Sequence, residues 1–251
     1  MLEVKFDVLS TYKAWRMIDK EAVRIDTNVS TPATYSIYYF RKGMEGFSIR
    51  LQAAANHYNE LHMWLPQRFI RRELHVPNLL FNLTSAIQCF QFAVNALGNA
   101  KDAKQFRDVT DSSAVYAANP DDVIGNQPLA GFNRYFPLLQ SHWIANSLLV
   151  RTIFEYHDVS KYRAVQDNGD AIHRTDPPVG FFDGVRDDAR LRSSYTPYET
   201  IILGPQIKTL RGIRNKSWLA EPYSTLEQVM TDFKPFTDAS LVLTLADAKA
   251  L

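Results

Sequence analysis

The chain has 251 residues, of which 46% are hydrophobic and 22% are charged, and this composition is typical of a globular protein. It excludes a chain that is disordered throughout, and a chain of this length folds without a disulfide or a structural metal. With 28 basic and 27 acidic side chains the net charge is +1, so any contact with nucleic acid requires a local basic patch. The N-terminal segment has no apolar core of signal-peptide length, which predicts a cytoplasmic location.

The first two helices are predicted from apolar periodicity. An amphipathic pattern covers roughly residues 8–25. The second helix has a start signal at Thr31, which precedes a proline, and its pattern runs over residues 32–64. Gly43 and Gly46 lie in its middle, and they indicate either a kink or a close contact with another helix.

The segment 76–100 contains no charged residue and is long enough to cross a bilayer. Four polar residues nevertheless recur on one side of its helix, namely Thr84, Gln88, Gln91 and Asn95. Because amides are costly in hydrocarbon, we predict a central helix of a soluble bundle and no membrane contact. This helix is predicted to start at Pro77 and stop at Gly98, with a buried stripe of Leu83, Ile87, Phe90, Val94 and Leu97.

Residues 108–134 are predicted to be irregular, because they contain several turn-forming residues. Pro137 opens the next helix, which is predicted to run to about Tyr162. Its apolar face comprises Leu139, Trp143, Val150 and Ile153, with Asn146 and His157 on the same face. A turn signal at 167–170 indicates a small β-hairpin over 164–172.

The last third of the chain begins with a long loop from Arg174 to Tyr195, and loops of this length are often functional. A helix over 196–218 and a final helix over 237–250 are predicted to follow. The fold class is therefore all-α: an irregular helical bundle with long loops and one small β-hairpin. A single domain over 1–251 is predicted, and a division near 108–134 is the alternative.

The six histidines are candidate metal ligands, but a helical metal site requires a suitable spacing between them. His57 and Glu60 are three residues apart, but the glutamate follows the histidine, which reverses the order found in di-iron bundles. A metal-dependent enzyme that uses His57, Glu60 and His157 is therefore only the third hypothesis. No metal and no cofactor are predicted, and the sequence has no glycine-rich nucleotide-binding loop.

The helix predicted after Pro137 carries the densest group of ionisable residues, over 151–158. Arg151 and Glu155 are spaced to form an ion pair on the outer face. His157 lies on the apolar face, where partial burial would keep it neutral and suit it to act as a general base. The alternative is a salt-bridged outer face with one hydrogen-bonded core histidine.

A second candidate surface is a basic stripe on the helix predicted over 196–218. Lys208, Arg211 and Arg214 recur every three residues, and Asn215 and Trp218 follow them. Such a stripe suits phosphate binding, and the tryptophan ring suits stacking on a base. The alternative is the solvated face of an amphipathic helix.

Two fragments, Phe92–Gly98 and Leu210–Lys216, resemble the HEPN superfamily of helical-bundle proteins, which are common in prokaryotic defence and toxin systems. The resemblance implies metal-independent cleavage of RNA by an arginine that a histidine follows four to six residues later. Arg214 has no such histidine, whereas Arg151 and His157 have this spacing. Six residues along a helix rotate about 120° off one face, so convergence of this pair requires a helix distortion or a homodimer.

We therefore predict a protein that acts through binding, with RNA or a protein as its partner. The loop 174–195 and the basic stripe of Lys208, Arg211 and Arg214 are the predicted contact surfaces. The alternative is a HEPN-like ribonuclease in which Arg151 and His157 are catalytic.

Overall fold

A computed structural model of the chain describes residues 8–27, 34–64, 69–107, 130–154, 156–157 and 226–251. Within these ranges the regular structure is helical throughout, and the predicted all-α class is confirmed. The hairpin predicted at 164–172 and the helix predicted over 196–218 lie outside the described residues.

The described helices are, in chain order, α1 (Val8–Thr27), α2 (Thr34–Trp64), α3 (Phe69–Lys101), α4 (Ala130–Tyr135), α5 (Pro137–Ala145), α6 (147–154, continuing at 156–157) and α7 (Leu226–Ala250). Helix α1 packs against α2, α3 and α7, and α5 packs against α7. The helices predicted over 8–25 and 32–64 are confirmed as α1 and α2. None of the described helices is long and apolar enough to span a membrane.

The predicted stripe of α3 is confirmed, since all five of its apolar residues are buried in the shared core. The predicted ends of this helix are wrong. It begins at Phe69, eight residues before Pro77, and it continues past Gly98 to Lys101. Gly98 serves a close contact instead, because a Cβ there would collide with the ring of Phe106.

Three further boundaries differ from the sequence prediction. Residues 130–135 form α4 inside the segment predicted to be irregular, and the last helix begins at Leu226 instead of residue 237, with Pro235 inside it. The predicted start at Pro137 is confirmed, but a turn at Asn146 separates α5 from α6. The backbone carbonyl of His142 accepts hydrogen bonds from both the backbone N–H and the side-chain amide of Asn146, and side-chain bonds of this kind compete with the regular helical pattern.

Aromatic rings join the central helix α3 to α5 and α7. The rings of Phe90 and Trp143 stack with centroids 5.7 Å apart, and Trp143 lies 5.0 Å from Phe236. The indole N–H of Trp143 donates to Ser240 over 3.1 Å, so its polar atom is satisfied within the core. These contacts hold α5 against α3 and α7.

Helices α2 and α3 pack closely in antiparallel directions. Gly43 makes this possible, because a Cβ at that position would lie 2.8 Å from the Cβ of Ala93 and 2.9 Å from its Cα. We call the contact between these two helices the α2–α3 seam, and the helices keep nearly the same register along it. The residue pairs that face each other across the seam are Ser36–Asn99, Gly43–Ala93, Gly46–Cys89, Phe47–Phe90, Arg50–Asn82 and His57–His75. The seam therefore brings polar residues from distant parts of the chain into fixed pairs.

We expect Gly43→Ala to destabilise the protein, because the new methyl group meets backbone atoms that cannot rotate away. Overpacking of this kind costs about 1–3 kcal/mol, whereas alanine improves helix propensity by about 1 kcal/mol, so a net loss is expected. Urea unfolding measures the change. Gly46→Ala is the matched control, because its Cβ would meet the rotatable thiol of Cys89 at 2.8 Å, and it should cost less. Greater stability of Gly43→Ala than of the wild type would contradict the close contact.

Asp247 of α7 caps the first turn of α5. Its carboxylate accepts hydrogen bonds from the backbone N–H groups of Leu138 at 3.3 Å and Leu139 at 2.9 Å. The residue that precedes α5, Phe136, offers no side-chain cap. A carboxylate from another helix therefore takes the role that a local Ser or Asp usually fills.

We expect Asp247→Ala to lower the free energy of unfolding by about 1–3 kcal/mol, because it leaves the N–H groups of Leu138 and Leu139 without this acceptor. Denaturant unfolding at neutral pH measures this loss.

Burial raises the pKa of the Asp247 carboxyl, and the two backbone hydrogen bonds oppose this rise. A raised pKa means that the carboxyl favours folding most at acidic pH and less as the pH rises through that pKa. Asp247→Asn keeps an acceptor oxygen but does not ionise, so its stability relative to the wild type should improve from acidic to neutral pH. Denaturant unfolding across that range tests the sign, and an opposite trend would show that the hydrogen bonds outweigh burial.

Candidate functional site

The proposed catalytic pair lies on α6, where its two members have different surroundings. Arg151 is exposed to solvent, whereas only 8% of the surface of His157 is exposed. The neighbours Thr152 and Ile153 are buried, as expected for a helix with one face in the core. Cleavage by Arg151 and His157 therefore requires a second copy of the chain or a local rearrangement, and it stays a prediction.

The predicted binding residues Lys208, Arg211, Arg214, Asn215 and Trp218 lie outside the described residues, and so does the loop predicted over 174–195. They stay predictions.

His157 contacts an aromatic residue of the central helix. Its ring centroid lies 5.9 Å from that of Phe81 on α3, at an interplanar angle of 57°. The guanidinium carbon of Arg50 on α2 lies 5.0 Å from the centroid of the same ring, in the range of a cation–π contact. Phe81 is 42% exposed. The structure thus places an arginine and a histidine around one exposed ring, and this arginine is Arg50.

Arg50 is held in this position by Asn82. Its Nη1 donates to Asn82 Oδ1 over 3.1 Å, and the amide nitrogen of Asn82 donates to the backbone oxygen of Asn78 over 2.7 Å. Asn82 is buried and Arg50 is half-buried, so the guanidinium is oriented by a fixed partner. We call Arg50, Phe81, Asn82 and His157 the Phe81 cluster.

The charge of Arg50 also acts on Cys89, two turns further along α3 from Asn82. Burial raises the pKa of the Cys89 thiol, and the positive charge of Arg50 opposes this rise. A half-buried thiol with a raised pKa is mainly protonated at neutral pH and is a poor nucleophile. Cys89 therefore packs against the seam as a small apolar residue, as its place in an apolar run suggests.

A second polar group lies towards the C-terminal end of α2. The Nδ1 atoms of His57 and His75 face each other at 3.0 Å, with ring centroids 5.2 Å apart. Burial and the neighbouring His75 lower the pKa of His57, while the carboxylate of Glu60 acts in the opposite direction. Because the pKa is lowered, His57 is mainly neutral at pH 7.

The metal hypothesis placed His57 and Glu60 with His157. In the structure the histidine that faces His57 is His75, whereas His157 contacts Phe81. In the part of the chain that the structure describes, no three histidine, cysteine, aspartate or glutamate side chains are arranged to hold a metal ion.

Comparison with protein-family models, with curated proteins and with solved structures gives no match to this chain. The resemblance to HEPN proteins therefore stays a prediction.

The sequence pattern predicts a role for His157 but none for Arg50, Phe81 or Asn82. Arg50 and Asn82 are 32 residues apart in the chain, and only the register of the seam brings them together. One signal was present in the sequence: Phe81 is a large apolar residue outside the buried stripe that begins at Leu83. An aromatic ring off the core face of a central helix points to an exposed position.

Proposed function

We propose that this protein acts by binding single-stranded RNA, and that the Phe81 cluster is a contact site. The observation that carries this proposal is the 42% exposed ring of Phe81, with the guanidinium carbon of Arg50 over it and the ring of His157 in contact with it. Proteins that bind single strands combine aromatic rings, on which bases stack, with cationic side chains that attract the phosphates. The Phe81 cluster provides an aromatic ring and a cationic side chain in direct contact with each other.

The guanidinium of Arg50 suits phosphate binding because its direction is fixed. It carries five N–H donors, and the hydrogen bond to Asn82 Oδ1 is made from Nη1. An oriented guanidinium binds a phosphate through paired hydrogen bonds with little loss of side-chain entropy. Asn82 acts here as a positioning residue for Arg50.

RNA is favoured over a protein partner by the small size and the chemistry of the cluster. A protein interface draws on a wider apolar centre with a polar rim. The Phe81 cluster instead consists of one ring, one guanidinium, one amide and one imidazole. The overall charge of +1 agrees with a local contact of this kind, because it does not supply a general attraction to phosphate.

The basic stripe of Lys208, Arg211 and Arg214 is the second RNA contact in this proposal. Its residues recur every three positions, which would place three cations along one helix side, and Asn215 and Trp218 would add a hydrogen-bonding group and a stacking ring.

We expect Phe81→Ala to weaken binding of a labelled single-stranded RNA pool about fivefold to a hundredfold, since one stacked base is worth about 1–3 kcal/mol. It should leave the salt dependence of binding unchanged, because no charge is removed.

Arg50→Ala should weaken binding and also reduce the slope of log K against log salt by about 0.7, as expected for one lost phosphate contact. Fluorescence anisotropy at several salt concentrations measures both quantities.

Ile49→Ala is the matched control, because Ile49 is 59% exposed beside Arg50 and carries no charge or ring. The triple variant Lys208→Ala, Arg211→Ala and Arg214→Ala should reduce the salt slope by about 2. Wild-type affinity in Phe81→Ala and Arg50→Ala, with melting temperatures unchanged, would remove the Phe81 cluster from the proposal. Wild-type affinity in the triple variant would remove the stripe.

A ribonuclease is the second candidate, because His157 and Arg50 both contact the ring of Phe81. In this version RNA bound at the cluster would be cleaved without metal, after a local rearrangement that exposes the imidazole of His157. His157 would take the proton of a 2′-hydroxyl, whose oxygen forms a bond to the adjacent phosphorus while the bond to the 5′-oxygen breaks and that oxygen leaves with a proton from water. The HEPN-like pattern assigns the cationic role to Arg151, whereas the neighbour of the Phe81 ring is Arg50.

Incubation of the RNA pool with the wild type and with Arg50→Ala, Arg151→Ala and His157→Ala distinguishes these versions. We expect intact RNA in every lane, because binding alone is the primary proposal. Cleavage that disappears in both Arg151→Ala and His157→Ala would establish the HEPN-like pair. Cleavage that requires Arg50 and His157, but not Arg151, would assign the reaction to the Phe81 cluster.

A further inference from the structure

The pair His57 and His75 lies outside the Phe81 cluster and joins two helices. His57 belongs to α2, and His75 to the first part of α3, two residues before Pro77. Their Nδ1 atoms are 3.0 Å apart, and the two rings are inclined by 51°. Both side chains are half-buried, so the pair remains accessible from solvent.

Two imidazole nitrogens that face each other satisfy their lone pairs in one of two ways. Either one ring carries the hydrogen and donates it to the other, or both lone pairs point at a shared cation. Bonds from zinc to imidazole nitrogen are about 2.0–2.1 Å long, so two such bonds at an angle between about 90° and 110° place the nitrogens about 2.8–3.4 Å apart. The observed 3.0 Å lies within this range.

From this geometry we propose that His57 and His75 bind a divalent transition-metal ion of the zinc, nickel or copper type. Both ligands are imidazoles, which suit these metals better than magnesium or calcium. The two side chains hold the ion through Nδ1, and water molecules complete its coordination, because no third protein ligand is arranged there among the described residues.

The electrostatic surroundings support a cation at this position. Glu60 lies one turn beyond His57 on α2, and its negative charge acts on the His57 imidazole. This carboxylate offsets part of the charge that a metal ion would bring.

A metal ion at this position would link α2 to α3 on the N-terminal side of Pro77. Proline removes one backbone hydrogen bond of the helix, so a metal link between His75 and α2 would support the turns before Pro77. Metal binding to the folded state alone raises stability by mass action. Bound metal should therefore appear as thermal stabilisation as well as in direct titration.

The test uses the full chain freed of metal, with Zn²⁺ as the probe. Calorimetry should show about one equivalent bound to the wild type, and a zinc concentration about 100-fold above the dissociation constant should raise the melting temperature by roughly 5–10 °C. His57→Ala and His75→Ala should each lose this binding and this shift. His142→Ala is the matched control, because His142 is half-buried and contacts the backbone oxygen of Phe236 instead, and it should retain both.

A second measurement keeps the test decisive if either alanine variant fails to fold. Long-range ¹H–¹⁵N spectra of the wild-type histidine rings should show two Nδ1 resonances that shift together on addition of Zn²⁺. Absence of saturable binding, equal binding in His57→Ala and His75→Ala, or no shift of any Nδ1 resonance would overturn the site and leave the pair as a hydrogen bond between rings. None of these outcomes depends on RNA binding at Phe81.

Discussion

Helices α2 and α3 approach closely where Gly43 faces Ala93, and this contact determines how the rest of the seam is paired. A side chain at Gly43 would collide with backbone atoms of Ala93, so the two axes can come this near only with hydrogen at that position. Antiparallel helices in close contact hold their register over many turns, because ridges and grooves interlock on both sides. The Ser36–Asn99 hydrogen bond towards one end and the His57–His75 contact towards the other follow from that register.

The same register places both candidate sites along one line. Arg50 and His57 are seven residues apart on α2, and their partners Asn82 and His75 are seven apart on α3. Seven residues are nearly two helical turns, so the His57–His75 pair lies on the same side of the helices as the Arg50–Asn82 pair, about 10.5 Å further along the axis. A change in the spacing between α2 and α3 would therefore alter the guanidinium position and the histidine pair together. The core behind them, joined to α5 through Phe90 and Trp143, resists such a change.

Apolar periodicity in the sequence is sufficient to predict which residues of the central helix are buried in the core. The five-residue stripe of α3 and the start at Pro137 are confirmed, because an apolar face and a proline at a first turn act locally. The ends of α3 predicted at Pro77 and Gly98 are wrong, because these residues are local start and stop signals and tertiary contacts extend the helix beyond both. The turns before Pro77 remain helical while His75 meets His57 and Val76 is fully buried, and Gly98 leaves room for a ring from beyond the helix end.

In the candidate site too, neighbours along the chain can be predicted from the sequence, whereas neighbours from another helix cannot. Spacing along one helix pairs His157 with Arg151, yet six residues turn the arginine away from the buried face on which His157 lies. The cation beside the ring that His157 contacts comes from α2, about a hundred residues earlier, and Asn82 of α3 orients it. Spacing within one helix gives no information on such neighbours, because they depend on which helix faces which and at what register. In a helical protein, an arginine from another helix can therefore reach the ring that a histidine contacts, and the spacing within one helix does not reveal it.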